Sequence, residues 1–262
     1  MRLKTPALAI ALCVAVTSIQ FASCKKESTG TKINASNNLT PADVIKRSNL
    51  VAWYKFTRGN TADLTGNNNH LSAFNVTLAT DYMNRPKNAY AFDGFSSYME
   101  APNSSSLNPS SAISLVALIK PTGFYTGNGA SSRILMKGVD DQSNGDYFLG
   151  YYSNGQLYGD YGDNQFSSNG VASQTGCLQL NNWYKIIYTY NGSVGKLYVD
   201  GALVGHEKKV ATFNENTSPL MLGKTGREDF PYFFNGVIDE IRIYNVALSA
   251  SQVVSVDAEL GQ

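Results

Sequence analysis

The sequence predicts an all-β protein: a two-sheet antiparallel sandwich of the jelly-roll type, with short helices at its edges. Many short segments rich in Val, Ile, Tyr and Phe alternate with turns that contain Gly, Asn or Asp, a pattern that is typical of such folds. Residues 114–120 (SLVALIK) are apolar at both alternating sets of positions, so we expect a central strand that is covered on both faces. Asn154-Gly155 and Asp200-Gly201 each predict a tight hairpin.

The segment FNGVIDEIRIYNVALS predicts the last strand more clearly than any other strand of the chain. In an extended chain Asp239 shares one face with Ile241 and Ile243. We therefore expect Asp239 to point inward, where a buried carboxylate needs a partner. After this strand, Ser249 and Gln252 have the spacing of a capping box, which predicts a short helix that begins at the next residue.

The chain divides into three parts. Residues 1–23 resemble a bacterial lipoprotein signal peptide, because a basic start and a short apolar run precede Cys24, which would carry the lipid. A plain secretory signal is the alternative, whereas the apolar run is too short for a membrane-spanning helix of about 20 residues. Residues 24–48 predict a flexible tether and a short helix, and residues 49–262 the globular domain. We expect an exported lipoprotein at the outer membrane or cell surface of a Gram-negative bacterium.

The charge balance argues against a nucleic-acid partner. The chain has 21 Lys and Arg against 20 Asp and Glu, and loss of Arg2 and Lys4 with the signal peptide leaves 19 against 20, a net charge of about −1. The sequence shows no stripe of clustered Lys and Arg, on which nucleic-acid binding depends. We expect contact with a membrane only through the lipid anchor.

Five short segments together indicate a family. They are AWY at 52–54, DLTGN at 63–67, AFDG at 91–94 with Ser97 and Tyr98, LYVDG at 197–201, and the last strand. With this order and spacing, residues 50–256 resemble the laminin-G-like, or pentraxin-like, branch of the concanavalin A-like lectin/glucanase superfamily. The resemblance implies a jelly roll in an extracellular module that binds glycans or proteins, often with a structural calcium ion.

Glycoside hydrolases of this superfamily carry carboxylates at alternating positions of one strand, which places an acid and a nucleophile on one face. In this sequence only Asp257 and Glu259 have that spacing, and they lie in the C-terminal tail. We therefore expect no catalysis, although a pair of carboxylates from distant segments would have no sequence signature.

A calcium-binding site is one candidate functional site. The loop at residues 60–70 (NTADLTGNNNH) contains oxygen ligands of the kind that calcium prefers, and in relatives this loop lies against the start of the last strand. The candidate ligands are Asp63, Asn68 and Asp239. The alternative is an Asx turn at Asp63 and backbone hydrogen bonds at Asp239.

A tyrosine-rich hairpin is the second candidate. Aromatic rings suit the apolar C–H faces of sugars, and nearby amides and carboxylates can bind sugar hydroxyls. The candidate ligand-binding residues are Tyr147, Tyr151, Tyr158, Tyr161, Asp160 and Asn164. The alternative is that Tyr is simply common in half-exposed strands.

Together these features predict a non-catalytic carbohydrate-binding module of a surface-anchored lipoprotein, which captures polysaccharide or host glycan. One alternative is a protein-interaction or adhesion subunit of a cell-surface complex. Another is a glycoside hydrolase or lyase with an unrecognised site.

Overall fold

The computed structural model of the protein describes residues 45–139, 147–161, 170–208, 213 and 215–262. The predicted signal peptide, Cys24, most of the tether and Asn164 lie outside these ranges. Fifteen strands are described: β1 (Leu50–Tyr54), β2 (Ser72–Phe74), β3 (Thr77–Ala79), β4 (Ala89–Asp93), β5 (Tyr98–Ala101), β6 (Ile113–Gly123), β7 (Ser131–Lys137), β8 (Tyr147–Tyr152), β9 (Leu157–Tyr161), β10 (Val171–Ala172), β11 (Tyr184–Tyr190), β12 (Val194–Val199), β13 (Ala202–Lys208), β14 (Leu220–Leu222) and β15 (Asn235–Tyr244).

The strands form two sheets, which confirms the predicted two-sheet sandwich. Sheet I has the order β13-β12-β11-β6-β15-β4-β3, with β1 paired to β15, and sheet II has the order β10-β9-β8-β7-β14-β5-β2. Neighbouring strands pair antiparallel. Short 3-10 helices lie at Arg47–Asn49, Thr57–Gly59 and Ser105–Leu107, and one α-helix, α1, spans Ala250–Glu259. No helix of the described residues has the length and apolar character needed to cross a membrane.

Strand β6 is covered on both faces, as its continuous apolar run predicts. Leu115 and Ile119 lie in the core between the two sheets. Val116 and Leu118, on the other face, belong to a second apolar cluster with residues of α1 such as Val253. The capping box that begins this helix is also present, since Ser249 Oγ accepts from Gln252 N and Gln252 Oε1 accepts from Ser249 N.

The expected inward orientation of Asp239 is wrong, because β15 contains a β-bulge. The register between β15 and β6 shifts between Ile238 and Glu240. Ile238 consequently joins Ile241 and Ile243 in the core between the sheets. One extra residue in a strand reverses the alternation of every residue before it, and here that residue is Asp239.

A buried polar network joins β15, β1 and α1 on the outer face of sheet I. Arg242 Nε lies 2.7 Å from Glu240 Oε1 and Arg242 Nη1 lies 2.9 Å from Glu259 Oε2. Trp53 Nε1 donates to Glu240 Oε1 at 2.6 Å. These contacts tie the last strand to the helix that follows it.

Candidate functional site

The β8–β9 hairpin of sheet II turns most of its predicted ligand-binding tyrosines into the core. Tyr147, Tyr151 and Tyr161 have 0% exposure, because alternate residues of a strand face opposite sides and these three face sheet I. A ring without exposed surface cannot stack on a sugar. The structure therefore corrects the expectation that these three tyrosines bind ligand.

The three buried tyrosines have structural roles. The hydroxyl of Tyr147 donates to the carbonyl of Leu107 at 3.1 Å, and that of Tyr151 to the carbonyl of Gly123 at 3.3 Å. Burial raises the pKa of both phenols well above the ordinary value. The ring of Tyr161 stacks on Tyr190, with centroids 5.6 Å apart. Neutral hydrogen-bonded phenols of this kind belong to a packed core.

Asp160 faces outward on β9 but is also buried, and its Oδ1 accepts the N–H of Tyr161 at 2.8 Å. Its position next to Phe148 in the register places it on the outer face of sheet II. Since it is 2% exposed, it has almost no surface for a ligand in the described arrangement.

Tyr158 is the predicted ligand-binding residue that lies in an aromatic cluster on this outer face. Tyr152 stacks on it, with ring centroids 4.4 Å apart and an interplanar angle of 16°. Phe148 contacts Tyr158 edge-on at 5.5 Å. Tyr158 itself is 7% exposed, whereas Tyr152 is 39% exposed. Tyr152 therefore exposes part of its ring to solvent, while the buried ring of Tyr158 supports it.

A buried arginine completes the cluster. The guanidinium of Arg133 lies 4.4 Å from the ring centroid of Phe148, 5.1 Å from that of Tyr158 and 4.8 Å from that of Tyr232. Arg133 Nη1 also donates to Ser131 Oγ at 2.8 Å. We call Phe148, Tyr152, Tyr158, Tyr232 and Arg133 the aromatic belt. Cation–π contacts with three rings hold it in one arrangement.

Gly150 gives the aromatic belt its close packing. It lies between Arg133 and Tyr158 in the sheet register. A Cβ at this position would come within 2.5 Å of the Ser132 carbonyl oxygen and 3.4 Å of Arg133 Nη1. The missing side chain leaves room for the guanidinium beside the tyrosine ring.

The candidate ligand-binding residues from the sequence include Tyr158 but not the other four members of the belt, Phe148, Tyr152, Tyr232 and Arg133. The alternation along β8 carries a signal for two of them, because a buried Tyr147 places Phe148 and Tyr152 on the opposite face. Arg133 and Tyr232 come from other segments and meet the hairpin only through strand pairing. No local pattern places them beside the hairpin.

The carboxylate of Asp63 is fully engaged in hydrogen bonds. Its oxygens accept from the backbone N–H groups of Trp53 at 3.1 Å, Thr65 at 3.0 Å and Asn69 at 3.1 Å, and from Thr65 Oγ1 at 2.8 Å. These are the turn and backbone hydrogen bonds of the alternative interpretation. These N–H and O–H donors direct their partial positive charges at the carboxylate oxygens, which are the atoms that a cation would contact. Asn68 is an exposed loop residue with a positive φ of 62°.

Asp239 has a different set of neighbours. Its Oδ2 accepts from Tyr82 N at 2.9 Å, and among the described residues it shares no hydrogen-bond partner with Asp63. Burial raises the pKa of Asp239 to about 7, and the charges of Asp81 and Glu240 add to that effect. No cluster of three His, Cys, Asp or Glu side chains suited to a metal occurs in the part of the chain that the structure describes. The described arrangement therefore does not fit a calcium ion that bridges Asp63 and Asp239.

A family model matches more than half of the chain. Residues 92–254 match the model of the laminin-G family described as the concanavalin A-like lectin/glucanases superfamily. The chain belongs to this superfamily. The family predicted from the five short segments is therefore confirmed. No curated protein matches the sequence significantly.

Solved structures of this superfamily's fold show the same architecture at low identity. Domain 4 of AbnA, an extracellular arabinanase of Geobacillus stearothermophilus solved with arabinotriose, is 21% identical with a TM-score of 0.59, over 81% of this chain and 98% of that one. A structure from a study of botulinum neurotoxin type C and its interaction with two ganglioside molecules is 14% identical with a TM-score of 0.65. The match covers 82% of this chain and 52% of the toxin chain. The botulinum neurotoxin DC binding domain, solved with rat synaptotagmin II, is 14% identical with a TM-score of 0.64, and covers 82% and 52%. The chain spans about half the length of these toxin chains, and the likeness shows the fold alone.

Proposed function

We propose that this domain is a non-catalytic carbohydrate-binding module and that the aromatic belt is its binding surface. The observation that carries the proposal is Tyr152, an exposed ring held flat against the buried ring of Tyr158. A ring fixed in this way loses little side-chain entropy when a sugar covers it. Of two neighbours with the same fold, one was solved with arabinotriose and the other was studied for its interaction with gangliosides, which supports a glycan as the ligand class.

The expected contribution of Tyr152 follows from its area. A sugar ring that covers about 60 Å² of apolar surface gains roughly 1.5 kcal/mol at about 25 cal/mol per Å². That free energy corresponds to about a tenfold change in dissociation constant. Tyr152 is thus the residue whose loss should be most visible in binding.

The two carboxylates with the alternating spacing of a hydrolase strand lie away from the aromatic belt. Glu259, one of the two carboxylates with alternating spacing, lies on α1 and pairs with Arg242. Asp257 also lies on α1, where the Lys185 ammonium donates to its carbonyl oxygen. Both are on sheet I's side of the molecule, away from the belt on the outer face of sheet II.

We also propose that a lipid on Cys24 holds the module at the cell surface. The signal-like start of the sequence supports this anchor. Residues 25–48 would then act as a spacer that keeps the module accessible to polysaccharide.

A glycan array tests the proposal directly. The mature chain, residues 25–262, is applied to plant, microbial and host glycans, with Tyr152→Ala as the variant. Phe95→Ala is the matched control, because Phe95 is 71% exposed and lies in the turn between β4 and β5 rather than in the belt. We expect a reproducible class of bound glycans that Tyr152→Ala loses and Phe95→Ala keeps. Absence of binding to every glycan would contradict the proposal.

A protein partner is the second candidate function. The neurotoxin DC domain solved with rat synaptotagmin II shows that this fold can also present a protein-binding surface. Under this hypothesis arrays stay blank, and the mature chain retains a cell-surface protein in a pull-down.

A further inference from the structure

We infer that the aromatic belt is one end of a longer surface, and that its ligand is a linear polysaccharide with carboxylated sugar units. The other end is a second aromatic site, formed by Phe74, Tyr98 and Lys224, which we call the edge platform. The inference rests on the proposed carbohydrate-binding function and specifies its ligand class.

The edge platform contains a stacked aromatic pair on an outer strand. Phe74 and Tyr98 are directly opposite each other in the pairing of β2 with β5. Their ring centroids are 4.5 Å apart with an interplanar angle of 11°. Phe74 is 37% exposed and Tyr98 is half-buried. Like Tyr152 on Tyr158, Phe74 is therefore an exposed ring supported by a less exposed one.

Lys224 gives the edge platform its charge preference. Its ammonium lies 4.2 Å from the ring centroid of Tyr98, so the aromatic ring holds the charge next to the stacked pair. Within the described residues no carboxylate forms an ion pair with Lys224. Glu100 faces the same side of β5 as Tyr98 and lies two residues, or about 7 Å, along the strand from it. A sugar that stacks on Phe74 and carries a carboxylate at Lys224 fits this arrangement.

The two sites share one face of sheet II. Met99, Leu222 and Leu135 are paired across β5, β14 and β7, and all three lie in the core between the sheets. The preceding residue of β5, Tyr98, consequently faces outward, as Arg133 and Tyr158 do in the belt. Between β5 and β9 there are four strand spacings, or about 19 Å.

One loop joins the two sites and sets their spacing. Lys224 lies at its start and Tyr232, a belt residue, at its end. Thr225 closes this loop, since its N–H donates to the Pro231 carbonyl at 2.9 Å and its hydroxyl donates to the Phe230 carbonyl at 2.7 Å. A closed loop that supplies one member to each site holds both in a fixed relation.

A distance of about 19 Å requires a ligand longer than a disaccharide. A short fragment reaches one site, whereas an extended chain reaches both and gains from the second contact at high effective concentration. The inference therefore predicts a dependence on chain length as well as on charge.

The test uses disaccharides and hexasaccharides of alginate, polygalacturonate and hyaluronan, each with its carboxyl-reduced form, titrated into the mature chain. We expect at least one acidic hexasaccharide to bind at least tenfold more tightly than its disaccharide and its reduced form. Lys224→Gln and Phe74→Ala should each remove most of that gain, so that the hexasaccharide binds little more tightly than its disaccharide. Lys196→Gln, an exposed lysine of sheet I, is the matched control and should have no effect.

The outcomes separate this inference from the proposed function. If neutral glycans bind through Tyr152 but no acidic series shows the length and charge dependence, the inference is overturned and the proposed function stands. If Lys224→Gln weakens disaccharides and hexasaccharides equally, the two sites are not engaged by one chain and the inference also fails. Unchanged thermal melting of the two edge-platform variants excludes misfolding as the cause of a loss.

Discussion

The Arg242 network between sheet I and α1 gives a sharp prediction for stability. Arg242 is buried, and its guanidinium is 2.7 Å from Glu240 and 2.9 Å from Glu259. Arg242→Met keeps most of the side-chain volume but leaves the Glu240 carboxylate buried with hydrogen bonds from Trp53 Nε1 and Gly261 N alone. Removal of one partner from a buried ion pair typically costs about 3–5 kcal/mol.

Glu259 provides the internal comparison, because its side chain is 64% exposed. An exposed ion pair contributes about 0–1 kcal/mol, so Glu259→Gln should lower the free energy of unfolding by less than about 1 kcal/mol. The assay is equilibrium unfolding of the mature chain in guanidinium chloride with tryptophan fluorescence, which reports on Trp53 next to Glu240. In Arg242→Met/Glu240→Gln, the loss should be smaller than the sum of the two single losses. An Arg242→Met loss no larger than that of Glu259→Gln would show that the buried pair with Glu240 stabilises the fold no more than an exposed ion pair does.

Three further predictions concern protons, metal and lipid. Burial raises the pKa of Asp239 to about 7 in the folded protein, so its contribution to the free energy of unfolding is complete below its unfolded pKa and is lost as pH rises through about 7. Asp239→Asn should remove up to about 4 kcal/mol of this pH dependence. Equilibrium unfolding at a series of pH values measures it. Since N–H donors already surround Asp63, a chelator should leave the melting temperature unchanged, and a decrease that Asp63→Asn abolishes would establish the calcium site instead. Cys24→Ala should prevent incorporation of labelled palmitate and release the protein from membranes, and continued labelling would exclude Cys24 as the lipidated residue.

The sandwich could be predicted because its strands carry strong local signals. Residues 114–120 are apolar on both faces, and the capping box at Ser249 marks the start of α1 within one residue. The bulge at Asp239 could not be predicted, because it arises from pairing with β6 rather than from a turn residue in β15. It changed which residues of that strand face the core.

The candidate site was predicted only in its location. Both faces of the β8–β9 hairpin contain aromatic residues, so alternation separates Tyr147 and Tyr151 from Phe148 and Tyr152 but does not say which set meets the core. Packing against sheet I decides which set is buried, and the local sequence pattern does not show how the two sheets pack. Arg133 belongs to another strand, and its contacts with the hairpin depend on the register of the folded sheet.

Tyr152 is the proposed sugar-binding ring, and Tyr158 supports it from the sheet. The most direct measurement is isothermal titration of the array-selected glycan into wild type, Tyr152→Ala, Tyr152→Phe and the control Phe95→Ala. We expect about a tenfold loss of affinity for Tyr152→Ala, a much smaller loss for Tyr152→Phe, which retains the ring, and no loss for the control. Equal affinity of wild type and Tyr152→Ala would show that the Tyr152 ring does not bind the sugar.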